Sequence, residues 1–271
     1  MATRVGCHSI PSELHPIRAI ERGRRVEGDR PMDVHETMLR VVWESSIGTS
    51  RAAQRAFRAV VDRHREPHRR YHGLRHVEWV VRHVGELAEH EPVVDRGSIM
   101  AAAFFHDAVH QPTTTATGPA GNDKMSNEEA SARLAVAELT GLDDPEWPAA
   151  RVERVASMIL ATATHLVPDH HPPADPATVH PATVHPATVD TAVLLDADLA
   201  VLGADPAAYQ AYVNGVRAEY SHVDTAHWRV GRRAVLESFI ARGALYATPT
   251  GREWWEARAR ANLAAELATL T

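Results

Sequence analysis

Apolar positions recur at helical spacing along nearly the whole chain. Residues 77, 80, 81, 84 and 87 (Val, Val, Val, Val, Leu) lie on one face of a helix, and few alternating β-branched runs mark strands. The pattern predicts helices near 33–46, 51–64, 74–90, 96–109, 127–140, 147–164, 190–203, 206–220, 226–242 and 252–269. Gly48, Pro67, Pro92, Pro112, Gly118, Pro145, Gly203, Pro206 and Pro249 punctuate the gaps. Ser126-x-x-Glu129 is a capping box opening the fifth helix. The expected fold is all-α and single-domain, over residues 32–271. Residues 1–31 lack this periodicity and carry Pro11, Pro16, Gly23, Gly28 and Pro31. They read as a disordered or loosely attached tail, absent if translation begins at Met32.

Two polar intrusions interrupt the apolar pattern. From Ile99 to Val109 apolar residues point all round the axis, so "AAAFFHDAVH" reads as a buried helix carrying His106 and Asp107. An unpaired charge there costs several kcal/mol, and a cation shared by both side chains would compensate it. In "LLDADLAVL" the core stripe is 194, 195, 198, 201 and 202, which puts Asp198 in the interior and Asp196 on the opposite side. A third segment, "YHGLRHV", opens the helix whose core face His76 flanks, with His72 one turn earlier.

Composition narrows the chemistry. A single cysteine, Cys7, among 271 residues excludes an intrachain disulfide framework and a thiolate zinc cage, and a reducing cytoplasm is the expected compartment. No run reaches the roughly 18 apolar residues of a membrane span. A net charge of −6 gives no general attraction to nucleic acid. Lys124 is the sole lysine beside 28 arginines, so an arginine here says little by itself. With 18 histidines, a His-Asp pair alone is weak, since chance produces about one. Residues 176–190 repeat a five-residue unit, PATVH-PATVH-PATVD, after His170 and His171. A histidine metal tract is one reading. Proline at every fifth position and the lack of an apolar face favour an irregular loop near 168–190.

A histidine, a His-Asp pair and a distant aspartate on three helices resemble the HD-domain superfamily of metal-dependent phosphohydrolases. The strings "YHGLRHV", "FFHDAV", "NEEASA", "ILATATH", "LLDADLAVLG", "YVNGVRAEY" and "GRRAVLESFIARGALYAT" look, in that order, like one bacterial branch of it, over about residues 33–269. The resemblance implies that His76, His106, Asp107 and Asp198 bind one divalent metal. Two imidazoles and two carboxylates suit Mn²⁺, Fe²⁺, Co²⁺, Zn²⁺ or Mg²⁺ without choosing among them. It further implies hydrolysis of a small phosphate ester, a nucleotide or related metabolite; a non-catalytic metal- or nucleotide-binding sensor is the alternative.

His72 matches the proton-donating first histidine of the His-x-x-x-His motif in cyclic nucleotide phosphodiesterases, and Glu128 is a second catalytic candidate, for orienting water. Ser126 stands where this branch often has Asp, which leaves any role of that carboxylate without a residue. His165 is a candidate substrate contact, with a second-metal ligand the alternative, and Arg217 and Arg232 are candidate phosphate clamps. His83 and His90 read as an exposed stripe, and i, i+4 zincin-like pairs, His106 with His110 or His72 with His76, lack the accompanying Glu. Oligomeric state is not legible.

Overall fold

The computed structural model describes residues 33–112, 125–168 and 186–270, and Val34–Thr271 form one compact unit. Among the described residues it is all-helical. The helices are α1 (Val34–Ser46), α2 (Arg51–His64), α3 (Leu74–Leu87), α4 (Arg96–Phe105), α5 (Asn127–Thr140), α6 (Ala149–Ala161), α7 (Pro186–Leu199), α8 (Pro206–Glu219), α9 (Thr225–Ile240) and α10 (Pro249–Thr269). A short 3-10 turn, Ala200–Gly203, follows α7. The expectation for the 1–31 tail and most of the 168–190 loop fall outside the described residues.

Helix α4 is the axis of the molecule. Every residue from Ser98 to Phe105 is buried, and it packs against α1, α3, α5, α6 and α7. Trp43 of α1 meets Phe57 of α2 and Phe104 and Phe105 of α4 with ring centroids 5.0–5.9 Å apart. Asp95 caps α4 through Ser98 N and is gripped by Arg151 of α6 at 2.8 and 2.9 Å. The capping box at Ser126 and Glu129 is present.

Three expectations are corrected. First, α4 ends at Phe105, not 109, so His106 caps the helix and Asp107 lies in the following turn. Arg69, its side chain fully buried, draws that turn down by donating to the carbonyls of Asp107 at 2.7 Å and Ala108 at 3.0 Å. Second, the final repeat unit, Pro186–Asp190, is helical rather than loop: it forms the first turn of α7, with proline at the first helical position, where no intrahelical N–H bond is lost. Asp190 is wholly buried and accepts from the backbone N–H groups of Val94 and Asp95. Third, His83 is buried, not exposed, and bonds to the Trp79 carbonyl at 2.7 Å, while His90 is exposed as expected.

Candidate metal centre

Helix α3 and the end of α4 bring His76 and His106 face to face with their Nε2 atoms 3.0 Å apart. Asp107 Oδ2 lies 3.3 Å from each of these nitrogens. Asp198 Oδ1, from α7, lies 3.3 Å from that of His76 and 3.5 Å from that of His106. Ligand bonds of about 2.0–2.1 Å set neighbouring donors about 3.0 Å apart at a right angle and about 3.4 Å apart at the tetrahedral angle. The spacings among His76, His106 and Asp107 and that from His76 to Asp198 fall in that interval, and the His106–Asp198 distance of 3.5 Å lies just beyond it. His106 Nδ1 lies 2.9 Å from the Ala103 carbonyl, to which it donates, so its Nε2 carries the lone pair a cation needs. Both imidazoles are buried, whereas 20% of the Asp107 side chain and 13% of Asp198 face the cavity.

Electrostatics at the cluster favour cations. Burial opposes charge on His106, but Asp107 and Asp198 outweigh it and raise its pKa well above the ordinary imidazole value. Burial would raise both carboxyls, yet His106 and the neighbouring imidazoles hold Asp107 and Asp198 well below the usual carboxylate range. Against its burial the same carboxylates raise the pKa of His76, so the field favours positive charge at both rings, whether a proton or a cation. The donor set, two nitrogens and two oxygens with no sulfur, fits a divalent ion, and His76, His106 and Asp107 could bind it with Asp198 beside them.

Asp198 has a second partner. Its Oδ2 lies 2.9 Å from Nε2 of His165, whose backbone sits in the left-handed region at φ 51°. Arg242 clamps that turn by donating to the carbonyls of Thr164 (2.9 Å) and His165 (3.1 Å). His165 thus touches a carboxylate of the cluster, a contact the sequence did not suggest. The helical-phase argument needs amending too. Asp196 is the more deeply buried of the pair, 1% exposed, where it accepts from Ala247 N, Thr248 N and the Thr248 hydroxyl. Burial pushes its carboxyl up to about 6. Asp198 faces the cavity instead.

A second group lies beside the first. Glu219, the last residue of α8, accepts from the backbone N–H groups of Arg70, Tyr71 and His72 through Oε1, at 2.7–2.9 Å. Its Oε2 lies 2.6 Å from His72 Nδ1 and 3.5 Å from His110 Nε2. His72, His110 and Glu219 could also hold a metal. The 2.6 Å contact is a hydrogen bond, tighter than the spacing of two ligands on one ion, and Oε1 is fully engaged. The group is better described as an imidazole–carboxylate pair, with the His110 ring tilted by 32° against that of His72, centroids 4.1 Å apart. His72 itself has a lowered pKa, burial outweighing Asp107 and Glu219. The neutral ring donates from Nδ1 and keeps a lone pair on Nε2.

These groups share a cavity of about 570 Å³ whose lining includes His72, Asp107, Glu128, His165, Asp198 and Arg242. Glu128 is therefore at the site. Arg217 and Arg232 do not line it. Arg217 donates to the carbonyls of Tyr220 and Val223, and Arg232 forms a buried two-point pair with Glu266 at 2.7 and 2.9 Å. Both serve to fasten helix ends and helix pairs. The sequence reading missed Arg69, Arg242 and Glu219, and weighed His110 only in a zincin-like pair with His106. Glu219 did leave a signal: it follows buried Tyr209 and Val216 at ten and three residues, the same stripe test that singled out Asp198. In comparisons with family models, with curated proteins and with solved structures, none matches this chain.

Proposed function

We propose that the protein is a metal-dependent phosphohydrolase acting on a small phosphate ester, a nucleotide or related metabolite. One observation carries this reading: two imidazole nitrogens and two carboxylate oxygens, 3.0–3.5 Å apart, at the wall of a cavity large enough for such a substrate. The resemblance to HD-domain enzymes points the same way. A divalent cation held by His76, His106, Asp107 and Asp198 supplies Lewis acidity toward a phosphoryl oxygen and a water.

The chain's own residues do the rest. His72 moves a proton at Nε2; Glu219 fixes the ring by accepting from Nδ1 and stabilises the imidazolium once it forms. In the resting state that nitrogen is a proton acceptor, so protonation of a leaving group requires it to be charged first. Glu128, also on the cavity wall, orients water. Arg242 has donors beyond the two given to carbonyls and faces the same space.

The test is turnover of an aryl phosphate and a nucleotide panel with Mn²⁺, Co²⁺, Mg²⁺ and Zn²⁺, alongside elemental analysis. His106→Ala should lose bound metal and activity together. Protein inert with every ion, and metal content unchanged in His106→Ala, would end the proposal. Metal and nucleotide binding without turnover would favour the sensor.

A further inference from the structure

The cavity of about 570 Å³ has a second wall that the metal-centred chemistry leaves unused. Tyr212 and Val216 of α8, Tyr220 just beyond that helix, and Val235 and Phe239 of α9 all line the space. Within each set the residues stand four apart, so each row presents one helical face. The wall is open rather than sealed. Val235 is 44% exposed, and Tyr212, Tyr220 and Phe239 are half-buried. A half-exposed valine beside three aromatic rings is apolar surface that a ligand in the cavity takes out of water.

The polar atoms on this wall are already engaged. The Tyr212 hydroxyl accepts from Arg232 at 3.1 Å, and the Ser238 hydroxyl donates to the Val235 carbonyl at 2.7 Å. A polyol laid against it would leave hydroxyls without partners, a cost that an aromatic body avoids.

Charge on the lining is equally restrictive. Apart from histidine and tyrosine, its ionisable residues are Asp107, Asp198, Glu128 and Arg242. A divalent cation would cancel the two aspartates, and Arg242 offsets Glu128. His72, its pKa lowered by burial, adds no charge. Attraction for an anion then comes from direct contact with the ion and with Arg242, whose guanidinium lies 4.6 Å from the centre of the Phe239 ring. Those two contacts serve one phosphate group, which carries about −1.5 to −2 at pH 7. A second phosphate would meet no further Lys or Arg on the described lining, and Glu128 would repel it.

We propose that the site selects phosphomonoesters with a single phosphate on an alcohol of aromatic body, the ring lying against Tyr212, Val235 and Phe239. Esters bearing a second phosphate are disfavoured. The selectivity rests on the proposed phosphohydrolase reading for the metal end, but the preference of the wall is read by binding alone.

Three phosphonates, which resist hydrolysis, test it by calorimetric titration of the Mn²⁺-loaded full-length protein. Benzylphosphonate should bind at least about tenfold more tightly than methylphosphonate, because its ring buries apolar area. It should also bind at least about tenfold more tightly than xylylenediphosphonate, which has the same ring and a second phosphonate. Val235→Asn and Phe239→Leu should each weaken benzylphosphonate about threefold or more and leave methylphosphonate within about twofold. Val235→Lys, at the same half-exposed position, should instead raise affinity for the diphosphonate. Equal affinity for methyl- and benzylphosphonate, a diphosphonate bound as tightly as benzylphosphonate, or binding of none of the three would overturn the proposal.

Turnover separates this selectivity from the activity beneath it. If benzyl phosphate and ethyl phosphate are hydrolysed with the same kcat/KM, the phosphohydrolase reading stands and the selectivity falls. If neither is hydrolysed while benzylphosphonate binds as expected, the phosphohydrolase reading falls and the binding preference stands.

Discussion

Replacing Glu219 by Gln tests whether one buried carboxylate fastens the loop that carries His72. The Glu219 side chain is fully buried, and its two oxygens receive three backbone N–H groups and one imidazole N–H. Glutamine keeps one oxygen for the backbone donors but sets an NH₂ against His72 Nδ1–H, donor against donor. Hydrogen bonds to a charged group contribute about 1.5–3 kcal/mol against about 0.5–1.5 for neutral ones, so each of three bonds loses about 1 kcal/mol. Three bonds on one oxygen are not additive, while the clash with His72 adds to the loss. A total near 3 kcal/mol follows, at the low end of what removing one partner from a buried pair costs.

Urea unfolding reads this loss as a midpoint shift of about 1–3 M, for slopes of about 1–3 kcal/mol per molar. Burial opposes the Glu219 charge, but His110, His72 and the backbone donors hold the carboxyl far below its ordinary 4.5. The gap between wild type and variant is therefore complete above pH 4.5 and narrows as the pH falls below it. Metal content should stay unchanged, because Glu219 is not among the four proposed ligands, while the proposed turnover drops about 10²-fold or more with the loss of an oriented His72. Glu266→Gln is the control: it breaks the buried pair with Arg232 and should destabilise without that loss of turnover. A Glu219→Gln protein within about 1 kcal/mol of wild type would refute the reasoning.

Three further outcomes follow from the packing. His64 is wholly buried and its pKa is lowered to about 3, first by burial and then by Arg69; stability is full above pH 6.5 and declines as the pH falls toward 3, by up to about 4 kcal/mol. His64→Leu should flatten that decline in pH-dependent urea melts, and an unchanged profile would contradict it. Arg242→Ala frees the strained turn at His165 that steadies Asp198, so metal affinity measured with a chelator series should fall about 10–100-fold, with Lys restoring part of it; no change would remove His165 from the metal's support. Gly203→Ala would set a Cβ 2.4 Å from Trp255 Cβ and 2.9 Å from that residue's backbone, and thermal unfolding should show a loss of about 1–3 kcal/mol or more. A variant as stable as wild type would mean that α10 moves aside freely.

How much of this was legible depended on whether a residue's role is set by its own helix. The stripe of α3 and the all-round apolarity of α4 are local, and they led to His76, His106 and Asp107. Helical phase found Asp198 but misjudged Asp196, because the partners that make Asp196 tolerable, Ala247 and Thr248, arrive from about fifty residues away. Arg232 failed for the same reason, its partner Glu266 lying 34 residues on, whereas Arg217 turns to the carbonyls of Tyr220 and Val223, only three and six residues ahead but beyond the end of its own helix. Nothing near either in sequence says whether a guanidinium will meet a carbonyl, Glu266 or open cavity. The proline repeat misled in the opposite direction: a five-residue period looks hostile to helix, yet proline on the first turn of α7 breaks no hydrogen bond. Glu219 is the instructive case. Its stripe position was readable, but that its carboxylate would secure three N–H groups some 147–149 residues earlier was not. Sequence periodicity identifies which polar groups must be compensated inside the protein; only the tertiary arrangement says whether a proton, a peptide N–H or a metal ion does it. At the His76–His106–Asp107–Asp198 cluster no peptide N–H among the described residues reaches the two carboxylates and imidazoles face one another, which leaves cations, protons or a metal, as the compensating charge.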